Sequence, residues 1–220
     1  MSKSIYVDVG DATKLLDQLS DYYNPKQMNR LLRRVFVRTG QKVKTIVSTD
    51  VPKHYHIKKR RVAQDVMPPS FDAGSSDGNP SCVVSIIGTR HIIGGNTFPA
   101  KGGRHGWHGI KAGKRYKITT QILQGKTSTL PEQIADQGGH PPFRNFSAKK
   151  LNNAAFTRHA NAGFPPNNLP IARVVGIAVP QMPLNLAEKD VQNDIASFLM
   201  ARIVHENDWM LKEIAKKNGA

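Results

Sequence analysis

Apolar and polar positions alternate strictly at the start of the chain. Ile5, Val7 and Val9 flank Tyr6 and Asp8, a period of two that predicts a short edge strand ending at Gly10. Residues 11–22 change to helical spacing, with Leu15, Leu16 and Leu19 on one side. Asn24 before Pro25 reads as a cap and a first helical position, where proline loses nothing by lacking an N–H. From Pro25 to about Ser48, Met28, Leu31, Leu32, Val35, Phe36, Val43, Ile46 and Val47 recur every three or four residues and make one core-facing stripe. Asp50, Val51 and Pro52 should break that helix, and a short basic helix is expected within Lys53–Arg61.

Between Met67 and His140 the helical period disappears and Gly, Pro, Ser and His accumulate. Strands are expected at Cys82–Ile87 and Tyr116–Leu123, joined by long loops. Two more are expected at 154–160 and at Leu169–Val179, with Pro180 and Pro183 ending the sheet region. Asn185, with Glu188 three positions on, should cap a last helix running to about Lys217, its apolar side built from Val191, Ile195, Phe198, Leu199, Ile203 and Ile214. The pattern is α+β: a mostly antiparallel β-sheet with long loops, flanked by an N-terminal basic helix and a long C-terminal helix. It reads as a single domain in three stretches, 1–66 with the N-terminal strand and helices, 67–183 with the loop-rich sheet, and 184–220 with the C-terminal helix.

Composition changes the picture in one respect. The 220 residues are 39% hydrophobic, enough for a packed core, yet Lys and Arg total 32 against 16 Asp and Glu, a formal charge of +16. That excess predicts a polyanionic or acidic neighbour. It is concentrated: Gly78 to Pro131 holds no acidic residue, while Lys101, Arg104, Lys111, Lys114, Arg115 and Lys117 fall inside it. Arg30, Arg34 and Arg38 stack like charges at four-residue intervals on the first long helix, an arrangement an isolated helix avoids unless something negative faces it. Lys58, Lys59, Arg60 and Arg61 extend the basic series. The plainer alternative is a solvated face whose long stems cover the core edge.

Cys82, the only cysteine, excludes an intrachain disulfide and reads as a buried, inert thiol. No early apolar run suits a signal peptide and no window reaches the roughly 18 apolar residues of a spanning helix, so a soluble protein made in the cytoplasm, with no membrane contact, is expected. Gly125-Lys126-Thr127 imitates the end of a phosphate-binding loop, but Thr120 stands where its first glycine belongs. His205-Glu206 opens a zinc-protease-like string that Trp209 breaks. His54 and His56, or His105 and His108, lack a nearby carboxylate or cysteine to complete a metal site, and Glu132 and Asp136 are the only acids between Gly78 and Ala187. No enzyme, cofactor or metal is therefore expected. Phe98, Trp107, Tyr116, Phe143 and Phe146 could stack bases, although core packing is the commoner use of aromatics.

The run from Ala154 through Phe156 and Arg158, a turn, and then Leu169-Pro170-Ile171 through Val179-Pro180 resembles the minor tail protein Z family of tailed phages and prophages. Phe156, Arg158, Leu169, Pro170, Ile171, Gly176, Val179 and Pro180 occupy the matching positions. The helix around Asn29-Arg30-Leu31-Leu32-Arg33-Arg34, followed by Val51, Pro52 and the basic segment to Arg61, also resembles the family's opening, whereas 71–140 matches no motif of it. The resemblance implies a virion structural protein of the phage neck or tail, without catalytic residues. It would complete the head-proximal end of the tail and help join it to the head as a homo-oligomeric ring, six copies being implied by tail symmetry. Assembly would take place in the host cytoplasm, beside tail tube, terminator and head-connector proteins, with sequence-independent DNA contacts through some of the basic residues named above. A stand-alone basic nucleic-acid-binding protein is the alternative.

Overall fold

The computed structural model describes residues 10–72, 81–94, 97–102, 118–131, 142–144, 154–158 and 171–217. Among them the order is α1 (Gly10–Ser20), α2 (Pro25–His54), α3 (Lys59–Asp65), β1 (Ser70–Asp72), β2 (Ser81–Val83), β3 (Arg90–Ile92), β4 (Ala100–Gly102), β5 (Ile118–Thr120), β6 (Ser128–Thr129), β7 (Phe143–Arg144), β8 (Ala155–Arg158), β9 (Ile171–Arg173), β10 (Val175–Ala178) and α4 (Glu188–Lys217). The fold is α+β, and its paired strands are antiparallel. They form four small sheets, β1-β2, β10-β3, β4-β5-β6 and β7-β8-β9. Residues 5–9 of the strand expected to end at Gly10 lie outside the described residues, and Gly10 itself opens α1.

The chain divides into two compact units, one of Met1–Val51, Lys59–Gly88 and Val179–Ala220, the other of Pro52–Lys58 and Thr89–Ala178. In the first, α1, α2 and α4 share one apolar cluster. Leu31, Val35, Leu199, Ile203 and Met210 are buried there, with Leu15, Leu16, Leu19 and Trp209 packed against it. Each fully buried aliphatic side chain is worth about 1.5–3 kcal/mol of transfer free energy. The Tyr23 hydroxyl donates to Asn207 Oδ1 at 2.6 Å, tying the α1–α2 turn to α4. The start of α2 is a reciprocal capping box: the Gln27 N–H donates to Asn24 Oδ1 at 2.9 Å and the Asn24 N–H to Gln27 Oε1 at 3.0 Å. Asn24 and Pro25 therefore start the helix as their chemistry requires.

The other end of α2 differs from expectation. The helix runs through Pro52 to His54. Proline removes a single N–H in the last turn, at a cost of about 3 kcal/mol in a helix interior. Val47, Val51 and Tyr55 around it are almost wholly buried, and their packing outweighs the lost bond. The next basic helix accordingly starts later, at Lys59, and ends at Asp65. Likewise Asn185 does not cap α4: its carbonyl accepts the Glu188 N–H at 3.1 Å in a preceding turn, and the Ala187 carbonyl takes the first helical bond, from the Val191 N–H at 3.0 Å. Among the described residues the strands of these two runs cover Ser81–Val83 and Ile118–Thr120, with isolated bridges at Ile86 and Leu123. Val174 divides the expected 169–179 strand into β9 and β10, because its N–H turns to the Ala155 carbonyl and its own carbonyl accepts from Ile93. A 3-10 turn at Val179–Gln181 follows β10 where the prolines begin.

In the second unit Ile93, Ala155 and Val174 form a small core, with Ala100, Ile122 and Leu130 against it. Gly125 has a φ of 69° and lies in the turn that the Lys126 N–H closes on the Leu123 carbonyl at 3.3 Å, so turn geometry accounts for this glycine.

In the first unit the β1-β2 ribbon continues past the Val66–Ile86 bridge and is anchored on α2 through Gly40. A two-stranded ribbon has little stability alone and needs such a support. A Cβ at Gly40 would lie 2.7 Å from both Pro69 Cβ and Cys82 Sγ. Although alanine favours a helix over glycine by about 1 kcal/mol, Gly40→Ala is expected to destabilise the protein by about 1–3 kcal/mol, because the ribbon must move. The shift of the urea midpoint measures it; an unchanged or raised midpoint would show that the contact is loose.

Candidate functional site

The four-residue spacing that stacks Arg30 and Arg34 on α2 turns both towards α4. Arg30 Nη1 donates to Glu213 Oε1 at 2.9 Å and Arg34 Nε to Glu206 Oε2 at 2.5 Å. Arg202, one turn before Glu206 on α4, donates to its other oxygen. The Trp209 ring lies beneath both α2 guanidiniums, 3.8 Å from Arg34 and 4.9 Å from Arg30, measured to the ring centroid. Further along, the Lys42 ammonium lies 5.6 Å from the centre of the Phe198 ring. Residue numbers rise on α2 as they fall on α4, so this seam of cations sets the two helices antiparallel and in one register.

Glu206 is 1% exposed, and its burial by itself raises the carboxyl pKa. The hydrogen bond from Arg34 and the charges of Arg202 and Arg34 outweigh that, so the group is held below its ordinary value. A cleft of about 530 Å³ opens at the end of the same seam, with Met210 and Ile214 as apolar lining and Lys26, Arg30 and Glu213 as charged lining.

The negative group expected opposite the arginine row is thus supplied from within the chain for Arg30 and Arg34. Arg38 is exposed and makes no ion pair among the described residues. Lys58, Lys59 and Arg60 are exposed, while Arg61 is half-buried and reaches Gln64 Oε1 at 3.2 Å and Asp65 Oδ1 at 3.5 Å. Lys101 is exposed on β4, opposite Thr119 of β5. Arg104, Lys111, Lys114, Arg115 and Lys117 lie outside the described residues, as do His105, Trp107, His108, Tyr116, Phe146, Leu169 and Pro170.

Two of the aromatics considered for base stacking are engaged inside the second unit. Phe98 is 0% exposed and meets His91 edge-on, and Phe143 is half-buried, its ring 5.9 Å from that of Phe156. Of the family-like positions, Phe156, Val179 and Pro180 are buried, Ile171 is half exposed and pairs with Arg158 across β8 and β9, and Gly176 lies where a Cβ would crowd the Phe98 ring at 3.1 Å. Cys82 is half-buried where full burial was expected, and that burial still pushes its thiol up, which suits an unreactive packing residue. Among the described residues no three His, Cys, Asp or Glu side chains gather as a metal site would require, and no helix is long and apolar enough to cross a membrane.

Sequence reasoning passes over Arg202, Trp209 and Glu213 as functional positions, and meets Glu206 only in a broken zinc string. Their spacing of three and four on one helix is a readable polar stripe beside the apolar one; what it faces is not. No known protein family, curated protein or solved structure matches this chain.

Removing the carboxylate leaves two guanidiniums crowded without their shared acceptor. Glu206→Gln is expected to cost about 3 kcal/mol in urea unfolding. Because the folded carboxyl is held below its ordinary value of 4.5, its contribution is fully present above that pH and is lost as the pH falls through the folded value. The native protein should therefore lose stability on acidification below about pH 4.5 more steeply than Glu206→Gln, in paired unfolding series. Parallel curves would remove Glu206 as the acid-sensitive group.

Proposed function

We propose that this chain is a virion structural subunit of a phage neck or tail. It completes the head-proximal end of the tail and helps join it to the head as a homo-oligomeric ring around the DNA channel. The observation that carries the reading is the run of family-like positions from Phe156 to Pro180, together with the basic opening of α2. The buried packing of Phe156, Val179 and Pro180 and the close approach at Gly176 give those positions a structural purpose without any reacting group.

Two further features support a part made for assembly. The β1-β2 ribbon has no third strand among the described residues, and an unpaired ribbon edge is a template for pairing with another chain. Val83 on the ribbon and Met67 and Ile87 near it are exposed at 58%, 42% and 56%, apolar surface that a neighbouring subunit would cover. A ring of subunits would cover such surfaces through heterologous contacts that close by rotation. Its basic faces would meet DNA phosphates or the acidic surfaces of neighbouring rings.

Deleting the gene from the phage genome tests the reading by negative-stain microscopy of the lysate. Separated full heads and unjoined tails are expected, restored to joined particles by supplying the protein in trans. Normal, joined virions from the deletion would overturn it.

A further inference from the structure

Past Arg30 and Arg34, which α4 carboxylates answer, the basic row of α2 continues on exposed residues that meet no carboxylate among the described residues. Arg38, Lys42, Thr45 and Thr49 follow one another at three- and four-residue spacing and are all exposed, with exposed Gln41 and Lys44 at the edge of the row. At about 1.5 Å of rise per residue this stripe is about 16 Å long. The only acid on α2 is Asp50, and it is fully buried. Arg38 and Lys42, one turn apart, repel each other, a cost the helix bears with no carboxylate of its own on the face to relieve it.

The chemistry of the face selects its partner. Every residue on it carries a hydrogen-bond donor, and none of the exposed large apolar side chains among the described residues lies on α2. A protein interface needs an apolar centre that excludes water, which this face lacks. Arg, Lys, Gln and Thr are instead side chains that contact phosphate and sugar without reading bases. We infer that the Arg38–Thr49 face of α2 binds the phosphate backbone of duplex DNA independently of sequence. The inference rests on the neck reading for which polyanion the protein meets.

Fluorescence anisotropy of the purified full-length chain with two unrelated duplexes of about 30 bp, titrated from about 50 to 300 mM salt, tests it. The wild type is expected to bind both duplexes alike. Arg38→Gln with Lys44→Gln should lower the slope of log affinity against log salt by about 2 and weaken binding about 30-fold at about 0.15 M salt, with half that slope change in either single variant. Lys42 is left in place because it also packs on Phe198. Lys212→Gln, an exposed cation on α4, should leave the slope unchanged.

Failure of the wild type to bind at the lowest salt would overturn the inference, as would an equal loss of slope in Lys212→Gln, which would mean diffuse charge. Binding of polyglutamate but not of duplex would overturn it in favour of an acidic protein partner. The neck reading fails separately: joined virions from the gene deletion would sink it whatever the salt slopes, and unchanged slopes would sink this inference even if heads and tails came apart.

Discussion

A carboxylate with 1% of its surface exposed has to be matched by charge, and Glu206 is matched twice, by Arg34 from α2 and by Arg202 from its own helix. Much of the first unit depends on that constraint. Desolvation works against the ion, and two charge-assisted hydrogen bonds reverse it; loss of either partner would leave a strongly unfavourable group in the middle of the packing. The apolar cluster of α1, α2 and α4 provides most of the favourable free energy, but apolar contact has no direction and would tolerate helices slipped by a turn. The Glu206 cluster, the Arg30–Glu213 pair and the stacking of both arginines on Trp209 single out one alignment.

The same constraint sorts the chain's excess positive charge. Cations that complete the seam are committed to folding, and their exposed edges are secondary to that role. Arg38 and Lys42, further along α2, meet no carboxylate among the described residues, and the helix carries their mutual repulsion without one of its own to offset it. A protein with a net charge of +16 therefore separates structural arginines from those open to a partner along a single helix, by how far along it α4 supplies carboxylates. In the second unit the described strands are two to four residues long, and Phe98 and Phe156 are given over to packing.

Several elements were legible locally because their determinants lie within a few residues. Asn24, Pro25 and Gln27 define a helix start by their own hydrogen bonds, and the spacing of Leu31, Val35, Ile46 and Val47 defines its buried side. The strand Ala155–Arg158 is equally local. Pro52 misled for the opposite reason: its local penalty is real, but burial of Val51 and Tyr55 exceeds it, and burial is a property of the packed molecule. Asn185 misled because several residues near a helix start can close a turn, and the path of the chain selects one.

The amino-acid sequence by itself determined the α+β class, the two long amphipathic helices, the net charge and the presence of a basic row that demanded an anion, since these follow from residue type and short-range spacing. Only the tertiary structure decided which anion answers it. Arg34 and Glu206 are 172 positions apart, and no local rule connects residues so far separated. Their meeting depends on where the returning helix packs, and that packing also determines which of the remaining cations stay open to solvent.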